Sequence, residues 1–451
     1  MVRCVVGILI LKFFWGAFGG KPFCQDISNV LQTGHNQTGS GLDKMLEGFW
    51  IRNYKSLKQV GLGTAFPQFV YVEDLSAMLP YDLGTSTLIT GVSGSGKSSV
   101  LDALGFISDC YSHGIDVACG KRGGYEAVYS HGGKGTMSFG FHYRHPDESA
   151  AATYAVSVGY VKNKAPYIES ELIAYRNGKE SFPIAFLQNG QKTIRYLASD
   201  ERLGGDDLTR VEFTDLKHLG LAALESHPKY PVWSSLRHFF ESWSVDDFLV
   251  DTTNGLDLTQ LKPHENLRGH KLTQFIRYLI DQFSDDTESI MNQIVSGIPN
   301  LVSVLLDNTN RERPMLSFVM EGISIPIPIS LLSESTIRLF SCALRLEEPN
   351  RAPLVTFDNP ESGLDRMHCW YLGERFRKFD NSAIGSQLFV NTQSSQLADA
   401  MHPQNVWIFG RDQNGFTVVE RAADLMLPPD DSGVPKNIEA NWFSEMFEDR
   451  I

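Results

Sequence analysis

Thr85-Ser86-Thr87-Leu88-Ile89-Thr90-Gly91-Val92-Ser93-Gly94-Ser95-Gly96-Lys97-Ser98-Ser99 is the stretch that decides the fold. Its first six residues are rich in β-branched side chains and read as a strand. It runs into Val100-Leu101-Asp102-Ala103-Leu104-Gly105-Phe106-Ile107, apolar at helical spacing. Between the two stands Gly91 to Ser98, with the spacing GxxxxGK[ST]. Strand, glycine loop and helix follow in the order that a phosphate-binding loop requires. The glycines let backbone N–H groups turn inward around an anion, and the helix N-terminus adds partial positive charge. Lys97 is the residue that reaches β- and γ-phosphates, and the Ser98 hydroxyl is the natural Mg²⁺ ligand. Gly91, Gly94, Ser95, Gly96, Lys97, Ser98 and Ser99 are therefore the candidate nucleotide-binding residues. A glycine-rich surface turn would not explain why a lysine and two serines open an apolar helix.

Working outward, 451 residues are enough for two or three domains. An apolar fraction of 42% supplies ample core, and a net charge of −13 argues against a surface coated in nucleic-acid contacts. A local basic patch around Lys121, Arg122 and Lys134 remains compatible with that average. The six cysteines include no CxxC pair and are scattered as in a reduced, cytoplasmic protein. Val5 to Gly20 is strongly apolar but short for a membrane helix, and Lys12 interrupts it. It loosely resembles a signal peptide, but the preferred reading is an over-extended gene start or a flexible extension, with a membrane anchor as the alternative. Residues 1–44 are expected to lie outside the fold.

Residues 45–215 are expected to form a first lobe. Phe49 to Leu57 reads as a strand ending in a basic turn, and Phe69 to Val72 as another. After the first helix, Met137, Phe139, Phe141 and Tyr143, then Tyr154, Val156, Val158 and Tyr160, recur with period two. Turn signals at Asn177-Gly178 and Asn189-Gly190 continue an antiparallel series of hairpins. Residues 216–330 read as a helical lobe, with i, i+3, i+4 spacing over Leu236–Leu249, Leu272–Phe283 and Thr287–Ile298, before strand character returns at Leu301 and Met315. Residues 331–425 hold the remaining motifs, and 426–451 form a tail whose Trp442, Phe443 and Phe447 are apolar enough to dock on the body.

Pro353-Leu354-Val355-Thr356-Phe357-Asp358 reads as a buried strand ending in a carboxylate, which places Asp358 to hold Mg²⁺. Asn359-Pro360-Glu361-Ser362-Gly363-Leu364-Asp365 follows at once. Upstream lies Leu332-Ser333-Glu334-Ser335-Thr336-Ile337-Arg338, opening a helix. Downstream, Gln387 to Asn391 is a strand ending at Thr392-Gln393-Ser394. Together with Ile51-Arg52-Asn53-Tyr54-Lys55-Ser56-Leu57 and Glu265-Asn266-Leu267, these blocks resemble the RecF/SMC/OLD-like branch of the ABC ATPases. They are most similar to its stand-alone AAA_21-type members, over residues 46 to about 425. The resemblance implies an α/β P-loop NTPase head with an antiparallel β subdomain and a helical subdomain. It implies ATP and Mg²⁺ as ligands and two heads paired head-to-tail. Each ATP would then lie between the phosphate loop of one copy and the Ser333–Ser335 signature of the other, with Asp365 nearby.

Three positions depart from the family pattern. Asn359 stands where the family has its catalytic glutamate, Ser335 replaces the signature glycine, and Gln393 replaces the switch histidine. An amide orients water but cannot accept its proton. Glu361 is a substitute base or a structural carboxylate, and Asn359, Glu361 and Gln393 are the candidate catalytic residues. The expected function is an ATPase with slow hydrolysis serving DNA maintenance or anti-phage defence. The alternative is an ATP-sensing scaffold that regulates a partner such as a nuclease. The segment after Asp365 is too short for the Toprim nuclease domain that OLD nucleases carry there, so any action on DNA is expected through clamping or a partner. The dispersed histidines show no metal-site spacing.

Overall fold

Leu88 and Ile89 are fully buried on opposite faces of β3 (Ser86–Gly91), the strand that leads into the glycine loop. β3 lies inside a six-stranded sheet of order β10-β14-β15-β3-β16-β17. β14 (Leu354–Asp358), β15 (Gln387–Asn391) and β16 (Val406–Arg411) are near-continuous apolar runs. Such runs suit parallel strands covered on both faces; β14 and β15 run parallel to each other, and β15 and β16 run parallel to β3. β10 (Ser244–Asp246) adds a parallel edge, and β17 (Thr417–Arg421) an antiparallel one. The register pairs Asp358 with Asn391 and Asn391 with Ile89. The C-terminal ends of β14 and β15 therefore lie beside the start of the loop, the usual place for a ligand in an open α/β sheet.

In this computed structural model, residues 46–63, 83–144, 150–161, 165–177, 180–189, 194–198, 209–213, 217–223, 231–246, 269–307, 315–348, 351–382, 386–426 and 441–447 are described. Residues Leu42–Ile451 form one compact unit. The strand expected at Phe69–Val72, the Glu265–Leu267 block, the apolar Val5–Gly20 run, Cys4 and Cys24 lie outside the described residues. Among those described, no helix is long and apolar enough to cross a membrane, and no cluster of His, Cys, Asp or Glu could hold a metal ion. Cys110, Cys119, Cys342 and Cys369 are buried and form no disulfide.

The period-two runs form an eight-stranded antiparallel sheet, β2-β1-β4-β5-β6-β7-β8-β9. Its members are β1 (Leu46–Tyr54), β2 (Leu57–Gly63), β4 (Met137–Arg144), β5 (Ala150–Gly159), β6 (Tyr167–Asn177), β7 (Glu180–Asn189), β8 (Ile194–Ala198) and β9 (Thr209–Phe213). Helix α1 (Lys97–His113) packs between the two sheets. Its Leu104, Phe106 and Ile107 join Phe49, Ile51, Phe139 and Phe141 from the antiparallel sheet and Leu354, Phe389 and Phe409 from the parallel one. The Phe106 and Phe139 rings stack with centroids 5.5 Å apart. Burying each such ring stabilises the fold by about 2–3 kcal/mol.

Alternate residues of the same parallel strands, Val355, Phe357, Leu388 and Val390, face a second core. It is filled by Leu272, Phe275, Ile276 and Leu279 of α6 (Gly269–Gln282), Ile294 of α7 (Ser284–Gly297), and Leu339 and Phe340 of α8 (Glu334–Glu347). Between α1 and α6 come the short α2 (Ile115–Gly120), α3 (Tyr125–Val128) and α4 (Gly220–Ala223), then α5 (Pro231–Glu241). The helix expected over Leu236–Leu249 stops at Glu241. Ser244-Val245-Asp246 instead becomes β10, because pairing with β14 satisfies its backbone as the next strand of the parallel sheet. After α9 (Arg366–Ser382) and α10 (Ser395–Asp399) comes α11 (Ala422–Leu425). The tail helix α12 (Trp442–Phe447) packs on α10. Trp442, Phe443 and Phe447 are buried, and the Trp442 indole donates to Met401 O at 3.0 Å.

The basic cluster expected around Lys121 and Arg122 is neutralised. Arg122 pairs with Asp102 and Asp109, and Lys121 with Asp109. Lys134 contributes its carbonyl to the Asn53 amide.

Candidate functional site

The loop from Gly91 to Gly96 leaves β3 at its buried end and enters α1 without a side-chain cap, the Ncap residue being Gly96 at φ 104°. The first N–H groups of a helix have no intrahelical acceptor, so they are free to face an anion. Val92, Ser93, Gly94 and Ser98 are exposed, whereas Ser95, Gly96 and Lys97 are buried, and Ser99 is half-buried. Lys97 folds back so that Nζ donates to Gly91 O at 2.6 Å and Val92 O at 3.0 Å. Burial pulls its pKa down, while the carboxylates of Asp358 and Glu361 oppose that shift. Gly91, at φ 133°, cannot be another residue: a Cβ there would stand 2.0 Å from Phe409 O.

Asp358 faces this loop from β14. Its Oδ1 accepts from Ser98 Oγ at 3.1 Å, from Asn359 Nδ2 at 3.2 Å and from Asn391 Nδ2 at 3.4 Å. The loop hydroxyl and the strand-end carboxylate thus meet, as a shared Mg²⁺ site requires. Asn359 sits at φ 50°, and its N–H donates to Asn391 O at 2.9 Å. Asn391 Oδ1 is buried without a hydrogen bond.

Glu361 turns toward the same place. Its Oε1 accepts from the Gln393 backbone N–H at 2.6 Å, whereas Oε2 is buried without a hydrogen bond. Burial raises its pKa, and the Gln393 and Thr392 contacts only partly offset that. Gln393 enters this arrangement through its backbone, and its side chain is exposed. A dry carboxylate oxygen with a raised pKa, close enough to Lys97 to influence it, has the properties of a general base.

The remaining candidates are not drawn into this cluster. Ser333 is the N-cap of α8 and accepts from the Thr336 N–H at 3.2 Å, with Ser335 Oγ 3.1 Å away. Asp365 is exposed at the start of α9, where Oδ1 accepts from the His368 N–H at 2.9 Å. That hydrogen bond lowers its pKa. Three residues at the loop escaped the sequence reading: Asn391, Arg411 and Thr417. Asn391 had a signal, as the polar end of a buried strand. The other two had none, because their placement follows from the hairpin register.

The sequence model of the family described as "AAA domain, putative AbiEii toxin, Type IV TA system" matches residues 86–399. The chain belongs to this AAA_21 family. The matched range runs from β3 through α10 and so includes the loop, Asp358 and Glu361. No curated protein matches. Among solved structures, the SmcHead bound to the C-winged helix domain of ScpA is similar at 15% identity and a TM-score of 0.43, covering 85% of this chain and 100% of that one. The SMC head domain from Thermotoga maritima gives 14% identity and a TM-score of 0.36, covering 84% and 98%. The Smc head domain with an extended coiled coil, bound to the C-terminal domain of ScpA derived from Pyrococcus furiosus, gives 13% and 0.42, covering 85% and 98%. Membership makes the chain a P-loop ATPase-family protein, and the family assignment rests on the match over residues 86–399.

Proposed function

We propose that the chain binds MgATP in the Gly91–Ser99 loop and hydrolyses it slowly as a cytoplasmic ATPase. The observation that carries this reading is the uncapped start of α1 with Ser98 Oγ on Asp358. Backbone N–H groups and Lys97 bind the phosphates. Ser98 and Asp358 are the residues that would hold Mg²⁺, which supplies charge neutralisation on the β- and γ-phosphates. Glu361 Oε2 takes the proton of the attacking water. Asn359 fixes Asp358 and does not act as base, which is why turnover is slow. Ser333 and Ser335 at the exposed start of α8, with Asp365, complete the site of a second copy paired head-to-tail. The Type IV TA system in the family description favours anti-phage defence over DNA maintenance as the setting.

A second reading has its own observation. The Asn359 amide is occupied by Asp358 and has no proton-accepting capacity. The chain would then sense ATP, dimerise and regulate an effector such as a nuclease, with DNA met only through that partner. Phosphate release from the purified protein separates the two. Mg²⁺-dependent turnover that disappears in Lys97→Ala supports the ATPase. Tight ATP binding with no release supports the sensor, and absence of ATP binding refutes both.

A further inference from the structure

The three glycines of the phosphate loop share a neighbour. A Cβ on Gly91 would meet Phe409 O at 2.0 Å, one on Gly94 would meet Arg411 Nη2 at 2.6 Å, and one on Gly96 would meet Thr417 Oγ1 at 2.3 Å. Phe409 and Arg411 lie on β16, and Thr417 opens β17. The loop therefore meets one hairpin at its start, middle and end, with Ser56 and Leu57 also against Gly96. Its carbonyls are also held there. Arg411 donates to Gly94 O through Nε at 2.9 Å and through Nη2, and Thr417 Oγ1 donates to Ser95 O at 2.7 Å.

A trans peptide sets its N–H opposite its C=O. Holding Ser95 O toward β17 therefore turns the Gly96 N–H away from the hairpin, to the side on which the N–H groups opening α1 are free. Arg411, on the Gly94 carbonyl, fixes the preceding peptide, whose Ser95 N–H closes a turn on Val92 O at 3.1 Å. The hairpin itself is rigid at its tip. Asp412 Oδ1 accepts from the N–H groups of Asn414 at 2.9 Å and Phe416 at 2.8 Å. It is anchored across the molecule too, since the Thr417 N–H donates to Ser56 O at 3.1 Å and Lys58 Nζ lies 4.7 Å from the Phe416 ring centroid.

We infer that the β16–β17 hairpin is a template for the phosphate loop, with Arg411 and Thr417 as positioning residues for the triphosphate. Neither needs to touch the nucleotide. They act by orienting peptide groups before it arrives, so that binding does not have to reorganise the loop. This inference rests on the proposed nucleotide site.

The test is Mg²⁺-ATP binding by the full chain, followed by titration calorimetry, with melting temperatures recorded with and without ATP. Thr417→Val removes the hydroxyl at nearly constant volume, and Arg411→Gln removes the guanidinium at an exposed position. Each is expected to weaken ATP binding by roughly tenfold, the factor that loss of one such hydrogen bond produces. The melting temperature without nucleotide should fall by no more than the loss of these hydrogen bonds accounts for, while the ATP-induced rise shrinks further. Thr417→Ser, which keeps the donor, restores wild-type affinity. In steady state the loss appears in KM and not in kcat. Wild-type affinity in both Thr417→Val and Arg411→Gln overturns the inference while leaving the nucleotide site standing. A wild-type chain that binds no ATP overturns the site itself.

Discussion

Glu361→Gln separates a catalytic carboxylate from a structural one, because the two roles predict opposite signs for activity and stability. The substitution keeps the side-chain oxygen that accepts from the Gln393 N–H at 2.6 Å. It removes a negative charge whose second oxygen is buried and unbonded. Burial raises the pKa of Glu361, so the folded state disfavours the ionised form relative to the unfolded chain. A neutral isostere escapes that penalty, and the variant should melt no lower than wild type at neutral pH. Catalysis goes the other way. Loss of a positioned general base costs on the order of 10²–10⁴ in rate, or about 3–5 kcal/mol in barrier. The assay is single-turnover phosphate release at saturating MgATP, with ATP affinity measured in parallel. Affinity should be kept, since the loop and Lys97 are intact. In wild type the rate should fall on acidification through a pKa above the ordinary carboxylate range, because the raised group gains its proton early. That acid limb should vanish in the variant. Wild-type turnover in Glu361→Gln, or a variant that is both inactive and unstable, would refute the assignment.

The other predictions concern the loop and the fold beneath it. Gly91→Ala forces a Cβ to 2.0 Å from Phe409 O at φ 133° and should cost about 3 kcal/mol or more, read as a lowered melting temperature together with lost ATP binding. Glu47, beside His142 Nε2 at 2.9 Å and bonded to Arg144, has its pKa lowered from 4.5 to about 2. Burial pushes that carboxyl up, but the two basic partners outweigh it. Its contribution of about 3 kcal/mol is complete above pH 4.5 and is lost as the pH falls toward about 2. Glu47→Gln should therefore lower stability at neutral pH and flatten its decline over that acid range, measured by denaturant unfolding at a series of pH values.

What the sequence made legible follows from how locally each feature is encoded. The phosphate loop could be read because its chemistry sits in eight consecutive residues between a strand and a helix. The parallel strands could be read because both faces are covered, so Leu388–Val390 is apolar without a break and Leu354–Phe357 is interrupted only by Thr356. The antiparallel strands showed through period two. β10 could not be read, since three residues carry no period and its strand state comes from pairing with β14. The paired state of Lys121 and Arg122 was equally hidden, because Asp102 and Asp109 reach them from another helix. Arg411 and Thr417 were invisible for the same reason. Nothing in Arg411-Asp412-Gln413-Asn414-Gly415-Phe416-Thr417 marks more than a hairpin, and its purpose appears only where the loop's glycines are laid against it.

Asn359 gains a second aspect in the fold. Read along the chain it is a missing glutamate. In the fold it donates to Asp358 Oδ1 beside Ser98 and Asn391, and its own N–H is tied to Asn391 O. Asn359→Glu would therefore do two things. It would place a proton acceptor where the family has one, and it would replace a donor to Asp358 with a second carboxylate. Two adjacent carboxylates resist joint ionisation, and one pKa rises unless a cation is present. The variant should accordingly gain turnover at saturating Mg²⁺ while needing more Mg²⁺ to reach half its maximal rate. Phosphate release titrated against Mg²⁺ at fixed ATP reads both effects. A faster variant with an unchanged Mg²⁺ requirement would mean that the Asn359 amide is not what holds Asp358. No gain at any Mg²⁺ concentration would leave Glu361 as the base and make position 359 a strut of the metal site.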